Sequence, residues 1–154
     1  MNEFKLTDTV FRIGQWFEIP VVYHDMWVLE NRNIEVLDSV VIFLNKHPKL
    51  YIEVGCHTDQ RPIPMTNDTL SKRKALSIMD YLISKGVASS RISYKGFADR
   101  QPRVLYRDMV RDGFKFLKGT ILTKEYISSL KTIKEKEAAQ CLNRRDILKI
   151  TKIK

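Results

Sequence analysis

A carboxylate and a cation stand where a small charged ligand could bind. Asp59 comes just past L-Y-I-E-V-G (50–55), whose alternating apolar residues predict a strand. Lys74 lies four residues after Leu70 and four before Ile78, on or beside the apolar face of a predicted helix. Ligands bind preferentially beyond the carboxyl ends of parallel strands, and a helix N-terminus favours a carboxylate. The pattern predicts a cleft that holds a zwitterion, the alternative being an aspartate and a lysine that only face solvent.

The other reactive side chains predict no catalytic site. His57 and Asp59 could supply two metal ligands, but no third ligand lies at motif spacing. The chain has no nucleophile elbow and no glycine-rich phosphate loop. Cys56 is adjacent to His57 in sequence only, because neighbours on a strand point to opposite faces. We therefore expect a binding protein without cofactor or metal, with a metal-dependent hydrolase as a further alternative.

The first half of the chain predicts strands and helices in alternation. The stretch W-F-E-I-P-V-V-Y (16–23) is rich in β-branched and aromatic residues, which predicts a strand. Pro20 would place that strand at a sheet edge or at a bulge. Apolar residues at helical spacing predict a helix over 34–44, with Asn33 as its N-cap.

The helix that carries Lys74 is expected to begin at Asn67 or Asp68, since either side chain can cap it. Its predicted buried stripe is formed by Leu70, Ile78, Met79 and Leu82. Residues 91–97 predict the third strand. The order strand, helix, strand, helix, strand has crossovers long enough for parallel pairing.

The last third of the chain departs from this alternation. Within residues 98–131, the R-D-G-F stretch (111–114) predicts a hairpin with an Asp-Gly turn. Thr132 and Glu135 form a capping-box pattern that predicts a helix start. Residues 145–153 alternate and predict a final strand. Its two faces carry Ile147, Lys149, Thr151 and Ile153 on one side and Leu148 and Ile150 on the other.

The composition predicts one basic folded domain. The chain has 154 residues, 44% of them hydrophobic, and a net charge of +9. Lys and Arg are spread along it, which argues against nucleic acid as a partner. Neither a membrane-spanning stretch nor a signal peptide is visible in the sequence. Cys56 and Cys141 are expected to be small buried side chains, with a single disulfide as the alternative.

Several motifs occur in the order found in a known family. They are I-E-V-G-C-H-T-D (52–59), N-x-x-L-S from Asn67, K-G-V-A-S-S-R-I-S-Y-K-G-F (85–97) followed by Q-P, and N-R-R (143–145). Together they resemble the OmpA C-terminal-like family, over roughly residues 17–150. The resemblance implies an α/β fold (an α+β sandwich) in the order βαβαβ-α-β, with a mixed sheet and helices packed on one face. It also implies a periplasmic domain that binds the diaminopimelate of the peptidoglycan stem peptide.

The resemblance implies ligand-binding roles for the matching positions. These are Asp59, Lys74, Asn67, Thr58, Asp25, Arg144 and Arg145. Asp59 matches the aspartate that pairs with the diaminopimelate ammonium group. Lys74 stands in place of the family arginine that holds the ligand carboxylate. Lysine offers a point charge where arginine offers a two-pronged fork, so this departure predicts weakened, shifted or lost binding.

The predicted function is a non-enzymatic module that anchors an outer-membrane protein or envelope machine to peptidoglycan. The predicted location is the periplasm, at the outer membrane, as a fragment of a longer exported protein. The alternative is a protein-interaction module with a degenerate pocket, which docks another outer-membrane or secretion-system protein. The predicted organisation is a lead-in over 1–15 and a domain over 16–154 with an insertion at about 103–131. Within it G-T-I-L-T-K-E-Y-I (119–127) resembles insertions of Bacteroidetes-type members.

Overall fold

A computed structural model of the protein describes residues 3–24, 26–62 and 65–154. The strands in these ranges are β1 (Trp16–Ile19), β2 (Tyr23–His24), β3 (Val28–Leu29), β4 (Leu50–His57), β5 (Ile92–Ala98), β6 (Met109–Arg111), β7 (Phe114–Phe116) and β8 (Arg145–Ile153). The α-helices are α1 (Ile34–Lys46), α2 (Asn67–Ser84), α3 (Lys124–Ser129) and α4 (Ile133–Asn143). Short 3₁₀ helices cover Asn31–Asn33 and Ser89–Arg91.

The main sheet has four strands in the spatial order β1–β8–β4–β5. β4 and β5 are parallel, whereas β8 runs antiparallel to both of its neighbours, which confirms the predicted mixed sheet. The expectation that the first three strands pair in parallel is wrong for β1, because the final strand lies between β1 and β4. With nine residues, β8 is long enough to pair with β4 on one side and β1 on the other, and it buries Leu148 and Ile150 completely.

The predicted strand over 16–23 ends earlier than expected. β1 stops at Ile19, since Pro20 has no N–H group with which to continue the ladder. Tyr23 belongs instead to β2, which pairs with β3 in a separate two-stranded sheet. As Pro20 predicted, β1 is an edge strand of the main sheet. The break directs the chain after Ile19 across the end of the sheet.

The core lies between the main sheet and the helices α1 and α2. The helices contribute Leu37, Val40, Phe43, Leu44, Ala75, Ile78 and Leu82, and the strands contribute Leu50, Ile52, Val54, Cys56, Leu148 and Ile150. Burying each large apolar side chain stabilises the fold by about 1.5–3 kcal/mol. Met79, predicted to be part of the stripe on α2, is only partly buried.

The predicted cap of α2 is wrong. Thr66 occupies the N-cap position, and its Oγ1 accepts a hydrogen bond from the N–H of Thr69 at 3.2 Å. Asn67 and Asp68 are the first residues of the helix itself. The Asn67 side chain is directed away from the helix, because its Nδ2 donates to the carbonyl oxygen of Asp59 at 3.2 Å. It therefore ties the start of α2 to the end of β4.

Asn33 lies in the predicted N-cap position of α1 but makes no capping hydrogen bond. Its Oδ1 accepts from the N–H of Val22 at 2.8 Å, and its Nδ2 donates to the carbonyl oxygen of Val22. Asn33 is 2% exposed, so this pairing satisfies a buried amide. Its role is to fix the segment that follows β1.

Residues 103–131 pack against α4 around a second apolar cluster. The cluster consists of Leu105, Phe116, Leu122, Ile127, Ala138, Ala139 and Leu142. Asp112 and Gly113, both at positive φ, form the predicted turn between β6 and β7. Thr132 caps α4 as predicted, because its Oγ1 accepts from the N–H of Glu135 at 3.1 Å. The predicted excursion is thus a small packed unit.

Arg103 joins this unit to the main sheet. Its guanidinium donates to both carboxylate oxygens of Glu18, at 2.9 and 2.6 Å. Its backbone N–H donates to Oδ1 of Asn143 at 2.9 Å, and the residue is 6% exposed. A two-pronged pair of this kind fixes position as well as charge. It holds the end of α4 beside the end of β1.

Residues 3–15, expected to be a lead-in, contribute Phe4 to the main core, where it is 1% exposed. Its ring stacks on Phe43 at a centroid distance of 5.4 Å. Cys56 is buried, Cys141 is half-buried, and both are free thiols. Within the described residues, no helix combines the length and apolar character that a membrane span requires.

Candidate functional site

A cavity of about 770 Å³ opens at the end of the sheet where β4 stops and β8 begins. The described members of the predicted site all line it, namely Thr58, Asp59, Asn67, Lys74, Arg144 and Arg145. Asp25, the seventh predicted site residue, lies outside the described residues. The structure adds Tyr23, Arg61 and Asp146 to the lining. The strand end and the helix start thus form one wall, and the junction of α4 and β8 brings Arg144 and Arg145 to the same cavity.

Asp59 is held by two guanidinium groups of the chain itself. Its Oδ1 accepts the backbone N–H of Arg61 at 3.0 Å, and its Oδ2 accepts from Arg61 Nε and Nη2 at 3.1 and 2.6 Å. Arg144 Nε lies 3.5 Å from the same oxygen. The Asp59 side chain is 8% exposed, whereas that of Arg61 is 43% exposed. The charge of the buried Asp59 carboxylate is thus balanced by two arginine side chains that are more exposed than Asp59 itself.

Buried polar atoms around Asp59 have no hydrogen-bond partner among the described residues. They are Thr58 Oγ1, Asn67 Oδ1, Gln60 Oε1 and His57 Nδ1. Leaving a buried polar atom unpaired costs about 1–3 kcal/mol, so most such atoms in folded proteins are paired with protein groups, water or ligand. Three of the four belong to cavity-lining residues.

Lys74 lies at the cavity wall without a close acid. Its Nζ is 4.4 Å from the centroid of the Tyr23 ring, a cation–π arrangement. Among the described residues, no carboxylate lies within 4.0 Å of this ammonium group. Asp59 and Lys74, predicted to form one cleft, therefore line the same cavity as two charges that do not pair with each other.

Asp146 is a cavity residue that the sequence reasoning missed. In the register of the sheet it lies opposite Cys56 on β4 and Ile19 on β1, and it is 8% exposed. Burial raises the pKa of its carboxyl group, and the charge of Lys74 opposes that rise. The sequence contained the signal, since alternation along β8 places Asp146 on the same face as the core residue Leu148.

The two late arginines have different environments. Arg144 is exposed, and its Nη2 donates to Cys141 Sγ at 2.7 Å. Arg145 donates to the carbonyl oxygens of Asn143 and Gln101, each at 3.0 Å. Burial, followed by the nearby charge of Arg103, lowers the pKa of Arg145 to about 10. Both guanidinium groups contribute positive charge to the cavity.

His57 lies beside the cavity as a neutral imidazole. Its ring stacks on Phe97 with centroids 4.6 Å apart and an interplanar angle of 4°. Burial, followed by the charges of Arg145 and Arg103, lowers its pKa to about 3. In the part of the chain that the structure describes, no group of three or more His, Cys, Asp or Glu side chains could hold a metal ion. The site therefore presents charges and hydrogen-bonding groups for a polar ligand.

Comparison with known proteins places the chain in a family. A model of the OmpA family matches residues 24–112. The chain is 32% identical to the peptidoglycan-associated lipoprotein of Pasteurella multocida over 84 residues, 54% of this chain and 56% of that protein. It is 29% identical to the same lipoprotein of Haemophilus influenzae over 84 residues, 54% of this chain and 55% of that protein. The chain spans about half the length of these curated relatives.

Solved structures share the fold. The periplasmic domain of Helicobacter pylori MotB matches with a TM-score of 0.62 and 13% identity, covering 91% of this chain and 83% of that chain. The cell wall anchor of the T6SS from Pseudomonas aeruginosa matches with a TM-score of 0.56 and 18% identity, covering 85% and 75%. These similarities confirm the predicted mixed α/β architecture. Because the family match extends over more than half of its residues, the chain belongs to the OmpA family.

Proposed function

We propose that this protein is a non-enzymatic module that binds peptidoglycan through the diaminopimelate residue of the stem peptide. The observation that carries the proposal is the cavity at the end of β4, with the unpaired atoms of Thr58 and Asn67 beside Asp59. The family adds support, since its relatives include peptidoglycan-associated lipoproteins. Anchoring of an outer-membrane protein or envelope machine to the wall is the corresponding cellular role.

The charges of the cavity suit an amino-acid ligand. Lys74 and Arg145 are cations without a carboxylate within 4.0 Å among the described residues, and Arg144 lies at the entrance. They are suited to the carboxylate of diaminopimelate. The resemblance assigns the ammonium group to Asp59. Under that assignment the ligand ammonium competes with the Arg61 guanidinium for the Asp59 carboxylate.

The location and organisation predicted from the sequence belong to the same proposal. We place the domain in the periplasm, at the outer membrane, as part of a longer exported protein. A lead-in over 1–15 and a domain over 16–154 with an insertion at about 103–131 stay predictions, as does a Bacteroidetes-type origin.

Co-sedimentation with purified sacculi tests the function. We expect the wild type to pellet with sacculi that contain diaminopimelate, and soluble diaminopimelate to release it. The variant Asp59→Ala/Lys74→Ala is expected to lose binding by at least about tenfold, because it removes charge-assisted contacts. The matched control Lys72→Ala/Asp80→Ala removes one charge of each sign from exposed positions on α2 and should bind like the wild type. Equal sedimentation of the two double variants would contradict the proposal.

A second candidate is the docking of a protein partner by the unit around residues 103–131. Four large apolar side chains on it are exposed, namely Val104, Val110, Leu117 and Ile121. Val104 and Ile121 are neighbours, because they form an antiparallel bridge. If this surface serves a partner, Val104→Asp/Ile121→Asp should abolish capture of that partner from an envelope extract and leave sacculus binding intact. Unchanged capture would remove this candidate.

A further inference from the structure

Three carboxylates of the described residues line the cavity, those of Glu18, Asp59 and Asp146, and they differ in the cations that already contact them. Glu18 is paired with Arg103. Asp59 accepts three hydrogen bonds from Arg61 and has Arg144 at 3.5 Å. Asp146 has no cation within 4.0 Å among the side chains that the structure describes. A ligand ammonium that approaches Asp59 competes with the guanidinium groups of Arg61 and Arg144 for Oδ2, whereas it meets no such competing cation at Asp146.

Asp146 and Asp59 are buried to a similar degree, at 8% and 6% exposed, so the guanidinium groups beside Asp59 are what distinguishes the two carboxylates. The Asp146 backbone pairs with Ile19 of β1 and Cys56 of β4, and its carboxyl group has the Tyr23 hydroxyl and the Cys56 thiol as neighbours. Burial favours the neutral form of the Asp146 carboxyl group, and the charge of Lys74 or of a ligand ammonium favours its ionised form. No other part of the proposed function uses this side chain.

Lys74 is placed to bind the carboxylate that neighbours the ligand ammonium. An α-amino acid carries its ammonium and its carboxylate on one carbon, so its pocket needs an acid and a base close to each other. Lys74 acts electrostatically on Asp146, and its Nζ lies over the ring of Tyr23, which also neighbours Asp146. The arrangement is thus an acid and a base separated by more than 4.0 Å and open to one cavity.

We propose that Asp146, rather than Asp59, receives the ammonium of the ligand's zwitterionic end, with Lys74 facing the adjacent carboxylate. This inference rests on the proposed function for the identity of the ligand. Asp59 then has a positioning role, because it orients the guanidinium groups of Arg61 and Arg144 at the cavity mouth.

Calorimetry with two probes separates the carboxylates. The probes are a soluble stem peptide with the diaminopimelate amine free and the same peptide with that amine acetylated. We expect the wild type to prefer the free amine by at least about tenfold, as for loss of a charge-assisted contact. Asp146→Asn should bring the two affinities to within about twofold. Asp59→Asn should weaken both probes by a similar factor and keep the preference.

The outcomes are distinguishable. Loss of the preference in Asp59→Asn but not in Asp146→Asn overturns the inference and leaves the proposed function standing. Equal affinity of the wild type for both probes also overturns the inference, because no carboxylate then contributes to binding of the ammonium group. Failure of the wild type to bind either probe, or sacculi, overturns the proposed function and the inference with it. Asp146→Ser provides the same readout if Asp146→Asn does not fold.

Discussion

Gly96→Ala is expected to destabilise the protein by about 3 kcal/mol, because α2 packs directly on β5 at this glycine. A Cβ atom there would lie 2.5 Å from the backbone nitrogen of Lys72 and 2.5 Å from Ser71 Oγ. Ser71 is fully buried, and its Oγ accepts the N–H of Ala98 at 3.0 Å and donates to the carbonyl oxygen of Asp68 at 3.1 Å. A shift of the helix therefore breaks hydrogen bonds as well as packing.

Denaturant unfolding measures the loss as a change of midpoint at constant slope. The matched control is Gly86→Ala, where the glycine has φ +95° and no atom within 4 Å of an added Cβ. That control is expected to lose about 1 kcal/mol from backbone strain alone. Equal losses at the two positions would mean that the close approach of α2 to β5 is not the determinant. Sacculus binding should also fall in Gly96→Ala, since Asn67 and Lys74 move with α2.

His57 is expected to make the fold sensitive to acid. Its pKa is about 3 in the folded protein, below the usual value of 6.5. Between these values the unfolded chain binds one more proton at this site, so stability rises with pH and is lost as pH falls from 6.5 towards 3. The expected loss is about 2.5 kcal/mol between pH 7.5 and pH 4.5, from about 1.4 kcal/mol for each pH unit in the window.

The free energy of unfolding of wild type and His57→Gln, measured at both pH values, isolates this contribution. The variant is less stable at pH 7.5, because it loses the stacking on Phe97, but the difference between the two pH values should shrink by about 2.5 kcal/mol. His47→Gln removes an imidazole from outside the sheet and is the control for replacing any histidine. If the free energy of unfolding of His57→Gln changes with pH as much as that of the wild type, another group is responsible.

The local sequence determined most of the elements and the position of Asp59 after a strand. Alternation over 50–55 and helical spacing over 34–44 identify β4 and α1, and Asp112-Gly113 identifies the turn of the hairpin. The position of Asp59 after a strand was sufficient to place it at a strand end that lines a cavity. These features are predictable because they depend on residues within a few positions of one another.

Helix caps were less predictable, because one side chain can serve two purposes. Asn67 could cap α2, but its amide is used to join the helix to β4, and Thr66 takes the cap. Asn33 likewise bonds to Val22, eleven positions earlier in the chain. The competing partner in each case comes from another element, and capping propensity alone does not indicate it.

The charge arrangement of the cavity was decided only by the tertiary structure. Alternation along β8 puts Asp146 on the inner face of that strand. The order of the strands decides that its neighbours across the sheet are Cys56 of β4 and Ile19 of β1. The sequence also placed Asp59 and Lys74 near one another, whereas the fold gives Asp59 to Arg61 and directs Lys74 towards Tyr23. Pairing between distant strands sets which charges meet, and this depends on the burial of whole faces rather than on local spacing.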